Sequence, residues 1–129
     1  MSCCSAYRFD LCIKQWADYL QAFTWLSPQA VPNGSQQVLP VNLTGYTATL
    51  QIRPYPLATS ILYDASSNIT FGGPTGDPST GIITIDIPAA NTSTFTWWAG
   101  VYDLLLTNLA GTVYRFTQGN VTVSPGVST

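Results

Sequence analysis

Apolar and polar residues alternate along most of this chain, and a two-residue period is typical of β-strands with one buried face. The clearest run covers residues 46–53, where the even positions are apolar and the odd positions are Thr, Gln or Arg. Residues 7–14 and 83–87 show the same alternation. Each run therefore predicts a strand that packs on a core through one face.

Shorter apolar runs predict the remaining strands, at residues 61–63, 69–71, 101–107, 113–117 and 121–123. An aromatic stretch, Y-L-Q-A-F-T-W-L, covers residues 19–26 and stops at Ser27-Pro28. Proline, glycine and amide residues dominate the segment 28–40, which predicts a loop.

Turn-forming residues separate the later strands. Residues 72–81, G-G-P-T-G-D-P-S-T-G, predict a second long loop. Residues Pro88–Ser93 predict a short helical turn, and Asn108–Gly111 predict a hairpin connection with Gly111 at positive φ. The pattern contains no long helix, no internal repeat and no domain linker.

These elements predict an all-β fold, a single antiparallel β-sandwich of about 7–9 strands. We expect one domain over residues 1–129, with residues 1–6 as a short N-terminal tail. The segment G-V-Y-D-L, residues 100–104, adds a detail. Tyr102 stands two residues before the core candidate Leu104, the spacing of a tyrosine corner in immunoglobulin-like sandwiches.

Charged residues are unusually rare, at 8% of the chain against about a quarter in typical soluble domains. Two explanations are open: neighbours in an assembly cover much of the surface, or neutral Thr, Ser and Asn side chains keep it soluble. A net charge of −2 without a Lys/Arg cluster argues against a nucleic-acid partner.

The cysteines favour a chain that folds in a reducing cytoplasm, and the first residues predict no signal peptide. No apolar run approaches the roughly 18–20 residues of a membrane span, and the N-terminus lacks a signal-peptide pattern. The three cysteines, Cys3, Cys4 and Cys12, form no disulfide framework, and no histidine completes a zinc site. We therefore expect free thiols, no membrane partner and no metal.

Catalytic patterns are missing from the sequence. Without histidine there is no Ser/His/Asp or Cys/His arrangement. The six aspartates are scattered, and their spacing selects no acid/base pair and no D-x-D-x-D calcium loop. The loop 72–81 lacks the lysine and the following helix of a phosphate-binding P-loop. We predict no catalytic residues and no cofactor.

Aromatic residues are the remaining candidates for function, because they serve as sugar platforms and are enriched at protein interfaces. Trp25 is expected in the core. Counting back by twos from Tyr102 turns Trp98 toward the core and leaves Trp97 at the sandwich rim. Tyr55 and Tyr63 join Trp97 as candidate partner-interface residues.

Three segments in this order resemble small virion proteins of tailed bacteriophages: L-T-G-Y-T-A-T-L-Q-I-R, then G-I-I-T-I-D-I-P-A-A-N-T-S-T-F, then A-G-V-Y-D-L-L-L-T-N-L-A-G-T-V-Y-R-F-T-Q-G-N-V-T-V-S-P. The resemblance extends over about residues 7–127. It implies an immunoglobulin-like β-sandwich that serves as a collar, tail-fibre attachment or baseplate component. The Cys3-Cys4 start and the charge-poor loop 71–81 depart from that pattern.

The resemblance implies a non-enzymatic structural component of the virion, assembled in the host bacterial cytoplasm. Its partners would be other virion proteins and copies of itself in a ring or fibre-linked assembly, with a host glycan as a further candidate. The alternative is a carbohydrate-binding β-sandwich module, with Trp97 or Trp98 stacking on a sugar.

Overall fold

The computed structural model describes residues 7–30 and 34–126, so the predicted tail 1–6 lies outside the described residues. The chain is all-β, as predicted. The strands are β1 Tyr7–Arg8, β2 Leu11–Lys14, β3 Tyr19–Thr24, β4 Leu26–Ala30, β5 Gln36–Pro40, β6 Thr47–Arg53, β7 Tyr63–Asp64, β8 Ile69–Phe71, β9 Ile82–Ile87, β10 Ala99–Thr107 and β11 Val113–Ser124. A short helix, α1, covers Ala89–Thr92 and confirms the helical turn predicted at Pro88–Ser93.

Two sheets form the body of the molecule. The larger sheet has the order β1-β11-β10-β6-β7, and β2 pairs with the far part of β11. The strands β1 and β2 run parallel to β11, and the other pairs are antiparallel. The smaller sheet has the order β3-β9-β8 and is antiparallel throughout.

One hydrophobic core joins the inner faces of both sheets. The larger sheet contributes alternate residues of β6 and β10, such as Leu50 and Leu104, and the smaller sheet contributes the isoleucines of β9. Ile83, Ile85 and Ile87 are fully buried, so the period-two prediction for this strand is confirmed. The polar residues between them face outward, which is why a two-residue period was visible in the sequence.

The segment 28–40, predicted to be a loop, forms most of a β-hairpin. Its strands β4 and β5 pair with each other in an antiparallel register that places Pro28 opposite Val38. Proline lacks an N–H donor, but each strand of a two-stranded hairpin has an edge with no ladder partner, where proline is tolerated. The prolines of this segment are therefore compatible with the two strands, and their presence does not imply a loop.

The two strands predicted at 113–117 and 121–123 are one long strand, β11. The register with β10 shifts between Leu104 and Leu105, which pair with Thr117 and Arg115. Phe116 is the extra residue at this bulge, and a bulge exchanges the faces on either side of it. The sequence alternation is therefore broken at the bulge, although the strand continues.

Candidate functional site

The adjacent tryptophans lie on the opposite sides from those predicted. Trp98 is 50% exposed, so the prediction that it packs in the core is wrong. Trp97 is half-buried and packs against the core, with its ring stacked on Phe95 at a centroid distance of 4.9 Å. Trp97 is therefore not the rim residue of this pair.

The reversal has a backbone cause. The chain bends at Trp98, and β10 begins only at Ala99, so the alternation that places Gly100 and Tyr102 inward does not reach Trp98. The carbonyl of Trp98 instead accepts a hydrogen bond from the N–H of Val123 at 2.8 Å. This bond holds the bend against the end of β11 while the indole ring faces outward.

The two tyrosine candidates differ in position. Tyr55 is well exposed, as a surface candidate should be. Tyr63 is half-buried: its ring lies 4.9 Å from Phe95, and its hydroxyl donates to the Asn68 Oδ1 at 2.7 Å. Burial raises the pKa of Tyr63, with the nearby Asp64 charge as a smaller cause. Tyr63 and Trp97 thus meet through Phe95 in the core, and Tyr63 is not an exposed interface residue.

The predicted core residues Tyr102 and Leu104 are buried. Tyr102 is not arranged as a tyrosine corner, however, because its hydroxyl donates to the carbonyl of Phe9, in a strand break far upstream. Trp25 is half-buried at one end of the core, where its ring contacts Tyr46, Tyr114 and Phe116.

Large exposed apolar side chains gather at two opposite ends of the sandwich. We define the helix end by residues 15–20, 54–62, 88–98 and 124–126, where β2, β6, β9 and β11 finish and β3 begins. The hairpin end comprises the described residues of 25–46 together with 72–81 and 108–114. The exposed apolar residues of the helix end are Trp16, Leu20, Tyr55, Leu57, Ile61 and Trp98. Those of the hairpin end are Leu26, Val38, Leu109, Val113 and Tyr114.

Two of the helix-end residues have strained backbones. Trp16 has φ 73° and Leu57 has φ 68°, a region that bulky L-residues rarely adopt. Leu57 is 98% exposed, so packing of its side chain within the described residues does not offset the backbone strain. Sequence patterns do not show positive φ at non-glycine residues, and neither residue was predicted as a site residue.

The hairpin end is almost free of charge. Among its described residues, Asp77 is the one charged side chain, and it accepts hydrogen bonds from the N–H and hydroxyl of Ser79. Leu109 covers Gly45, where a Cβ would lie 2.4 Å from the leucine Cγ, and the outer side of Leu109 is 81% exposed. This end therefore presents apolar and neutral polar groups to any neighbour.

Four of the six aspartates accept hydrogen bonds from backbone N–H groups in turns or at chain breaks. Asp18 accepts the N–H of Ala89 at the start of α1, and Asp10 accepts the N–H of Asn120. Hydrogen bonds from Ser66 lower the pKa of Asp64, and those from Ser79 lower the pKa of Asp77. A lowered pKa keeps a carboxylate ionised, whereas a general acid needs a raised one.

Within residues 7–30 and 34–126, no group of three or more His, Cys, Asp or Glu side chains is placed to hold a metal ion. Cys12 is a free, exposed thiol, while Cys3 and Cys4 lie outside the described residues. No helix in this part of the chain is long and apolar enough to cross a membrane.

Sequence reasoning also missed a cleft on the outer face of the larger sheet. Its lining includes Arg8, Arg53 and Arg115, which come from β1, β6 and β11 and are far apart in the sequence. The order of the strands brings them together, and strand order cannot be deduced from the spacing of single arginines.

The comparisons with known proteins add no family. No protein-family model and no curated protein matches this sequence.

Proposed function

We propose that this chain is a non-enzymatic structural component of a tailed-phage particle, a tail, collar or neck, baseplate or fibre-attachment protein that acts by subunit packing. Its partners are other virion proteins and copies of itself, and it assembles in the host bacterial cytoplasm. The observation that carries the proposal is the collection of exposed apolar side chains at two opposite ends of one small sandwich.

Exposed apolar clusters favour contact between proteins. Contiguous apolar surface is rare on monomeric soluble proteins and marks interaction sites. A chain with 8% charged residues has little electrostatic protection against association. Covering Trp98 or Leu109 with a neighbouring subunit removes apolar area from water, which is a dominant favourable contribution in most protein–protein association.

The positions of the two ends favour head-to-tail contacts between copies. The helix end and the hairpin end are different surfaces, so a contact between them is heterologous. Repeated heterologous contacts generate a closed ring or an open filament. Both outcomes suit a ring or fibre-linked part of a tail.

The finer fold proposal is an immunoglobulin-like sandwich. In support, the order β11-β10-β6-β7 corresponds to strands G, F, C and C′ of a variable-type domain, and β3-β9-β8 corresponds to B, E and D. The hairpin β4–β5 is then an insertion between strands B and C. An experimental structure with a different strand order would overturn this assignment.

Association is tested by light scattering during size-exclusion chromatography over a range of concentrations. We expect the wild-type mass to exceed the 13.9 kDa of one chain and to rise with concentration. Trp98→Lys should reduce it to one chain, whereas the control Thr49→Lys, which adds the same charge on the exposed sheet face, should not. A wild-type chain that stays monomeric at every concentration would argue against the proposal.

The virion assignment needs a separate test. Particles of the phage that encodes this chain are purified and analysed by mass spectrometry and cryo-electron microscopy. We expect the chain in stoichiometric amounts, at one symmetric position. Complete, infectious particles without the chain would contradict the assignment even if the purified chain associates.

A carbohydrate-binding module remains the second candidate, supported by the exposure of Trp98 and Trp16 at the same end. Such a module stacks a sugar ring on an exposed aromatic face. Binding on a glycan array should then be lost in Trp98→Ala and kept in a variant of the half-buried control, Trp97→Phe. An array without any binding removes this candidate.

A further inference from the structure

The cleft on the larger sheet has a different chemistry from the two apolar ends. It has a volume of about 560 Å³, within the usual range for small-molecule sites. The floor is formed by outward residues of β6, β10 and β11, and residues 56–58 form a wall at one side. Three of the four basic residues of the chain line it.

Arg53 is the cation in this cleft that no carboxylate neutralises. Its guanidinium donates to the Ala58 carbonyl at 2.6 Å and to the Gln51 Oε1 at 2.7 Å, both neutral acceptors. Within the described residues no carboxylate oxygen lies within 4.0 Å of it. A guanidinium has five N–H donors, so three remain after these two bonds.

The two bonds also orient Arg53. They attach the half-buried guanidinium to its own strand and to the wall segment, which reduces the side-chain entropy that a ligand contact would otherwise cost. A fixed, planar guanidinium matches the two oxygens of a carboxylate in a bidentate arrangement.

The other two arginines have weak internal partners. Arg8 lies 3.4 Å from Asp10 and Arg115 lies 3.5 Å from Asp103, and all four side chains are at least 40% exposed. Exposed pairs of this kind contribute little to stability. Arg8 can therefore turn toward an anion in the cleft at little cost. Asp103 also lines the cleft, so Arg115 reaches an anion while it still shares its charge with this carboxylate.

We propose that this cleft binds the carboxylate of an acidic saccharide of the uronic-acid type, with Arg53 as the anchoring cation. The amide side chains of Gln118 and Asn120 also line the cleft, and each offers a donor and an acceptor for sugar hydroxyls. The wall residue Leu57 offers an apolar surface to a face of the sugar ring.

The floor of the cleft disfavours an acidic peptide. The backbones of β6, β10 and β11 are already paired within the sheet, so a peptide cannot add as a further strand there. Inorganic phosphate would use the arginines but would leave most of the volume and the apolar wall unfilled. A hydroxyl-rich carboxylate uses all three kinds of group. The wall residues 56–58 belong to the helix end, so the cleft borders one assembly surface. The arginines that carry this proposal lie on the sheet face, and the proposal does not depend on assembly.

The test uses trigalacturonate as the probe, with ¹⁵N-labelled full-length chain and isothermal titration at low and physiological salt. We expect saturable binding, with amide shifts confined to β1, β6, β10, β11 and residues 54–60, and weaker affinity at higher salt. Maltotriose, a neutral trisaccharide with the same α-1,4 linkage, should not bind. No binding of trigalacturonate, equal binding of maltotriose, or equal binding of phosphate or a triglutamate peptide would each overturn the proposal.

Charge-matched variants identify the anchor. Arg53→Gln should weaken trigalacturonate binding at least about tenfold, because it removes a charge-assisted hydrogen-bonded contact. Lys14→Gln removes the same charge from an exposed position outside the cleft and should leave the affinity unchanged. Arg115→Gln, at an exposed site, keeps the test valid if Arg53→Gln fails to fold, and should weaken binding severalfold. The assignment would be contradicted if Arg53→Gln bound trigalacturonate as tightly as Lys14→Gln. If Arg53→Gln does not fold, the same comparison is made between Arg115→Gln and Lys14→Gln.

Discussion

The hydroxyl of Tyr102 donates a hydrogen bond to the backbone carbonyl of Phe9, and this bond joins the middle of β10 to the break between β1 and β2. The same hydroxyl lies 3.2 Å from the Thr117 Oγ1. Gly119 pairs with Tyr102 across the sheet, and its missing side chain leaves room for the Phe9 carbonyl. Tyr102 of β10 and two residues of β11, Thr117 and Gly119, thus hold the segment around Phe9 against the larger sheet.

Tyr102→Phe should lower the free energy of unfolding by about 1–3 kcal/mol, because the half-buried Phe9 carbonyl and the buried Thr117 hydroxyl each lose a hydrogen-bond partner. Urea unfolding monitored by tryptophan fluorescence measures the change. Tyr55→Phe removes a hydroxyl from an exposed ring and should stay within about 0.5 kcal/mol of wild type. Equal effects of the two changes would show that the Phe9 contact is not stabilising.

Gly119→Ala tests the close approach of the two strands. A Cβ at this position would lie 2.5 Å from the Phe9 carbonyl oxygen, a backbone atom that cannot move alone. We expect a loss of about 1–3 kcal/mol from the strain of overpacking. Thr122→Ala, at an exposed position of the same strand, is the control and should change the urea midpoint little. A Gly119→Ala variant as stable as this control would contradict the geometry.

Thr92→Val tests the attachment of α1 to the turn between β2 and β3. The buried Thr92 hydroxyl donates to the Ala17 carbonyl at 2.8 Å, and valine keeps the shape but not the donor. We expect a loss of about 1–3 kcal/mol in unfolding free energy. Thr94→Val is the matched control, since the exposed Thr94 hydroxyl bonds to the Asn91 carbonyl, which water can reach. Thermal unfolding measures the stability of both variants, and equal losses in Thr92→Val and Thr94→Val would contradict the role of the Thr92 hydroxyl.

Tyr19 gives the fold a dependence on alkaline pH. Burial, followed by the neighbouring Tyr102 and Cys12, raises the pKa of Tyr19 from 10.0 to about 12. Between these values the unfolded chain loses the Tyr19 proton while the folded chain keeps it, so stability falls as the pH rises through this window. Urea midpoints from pH 9 to 12 should decline less in Tyr19→Phe than in wild type. Identical declines would contradict the assignment.

The sequence predicted those elements whose residues keep one period from end to end. Ile83 to Ile87 alternate without interruption, and Gly111 sits in the hairpin turn at φ 88° as expected. The elements that departed from prediction contain a local break. The polar and glycine residues 118–120 divided β11 in the sequence pattern, and the bend at Trp98 reversed the pair of tryptophans.

The candidate surfaces were less predictable than the core. Tyr55 was placed on the surface from composition and pattern, but Trp16 and Leu57 owe their exposure to strained turns that no pattern reveals. The cleft around Arg53 depends on which strands are neighbours. Burial follows from local periodicity, whereas a surface site follows from strand order and backbone bends.

Mixing two variants shows directly whether the two apolar ends pack head to tail. Trp98→Lys alters only the helix end and Leu109→Lys only the hairpin end, so each variant retains one intact surface. We expect each variant alone to have the 13.9 kDa mass of one chain, and an equimolar mixture to form a complex of twice that mass and no larger species. A mixture that remains at the mass of one chain, beside a wild type that associates, would contradict contact between the two ends.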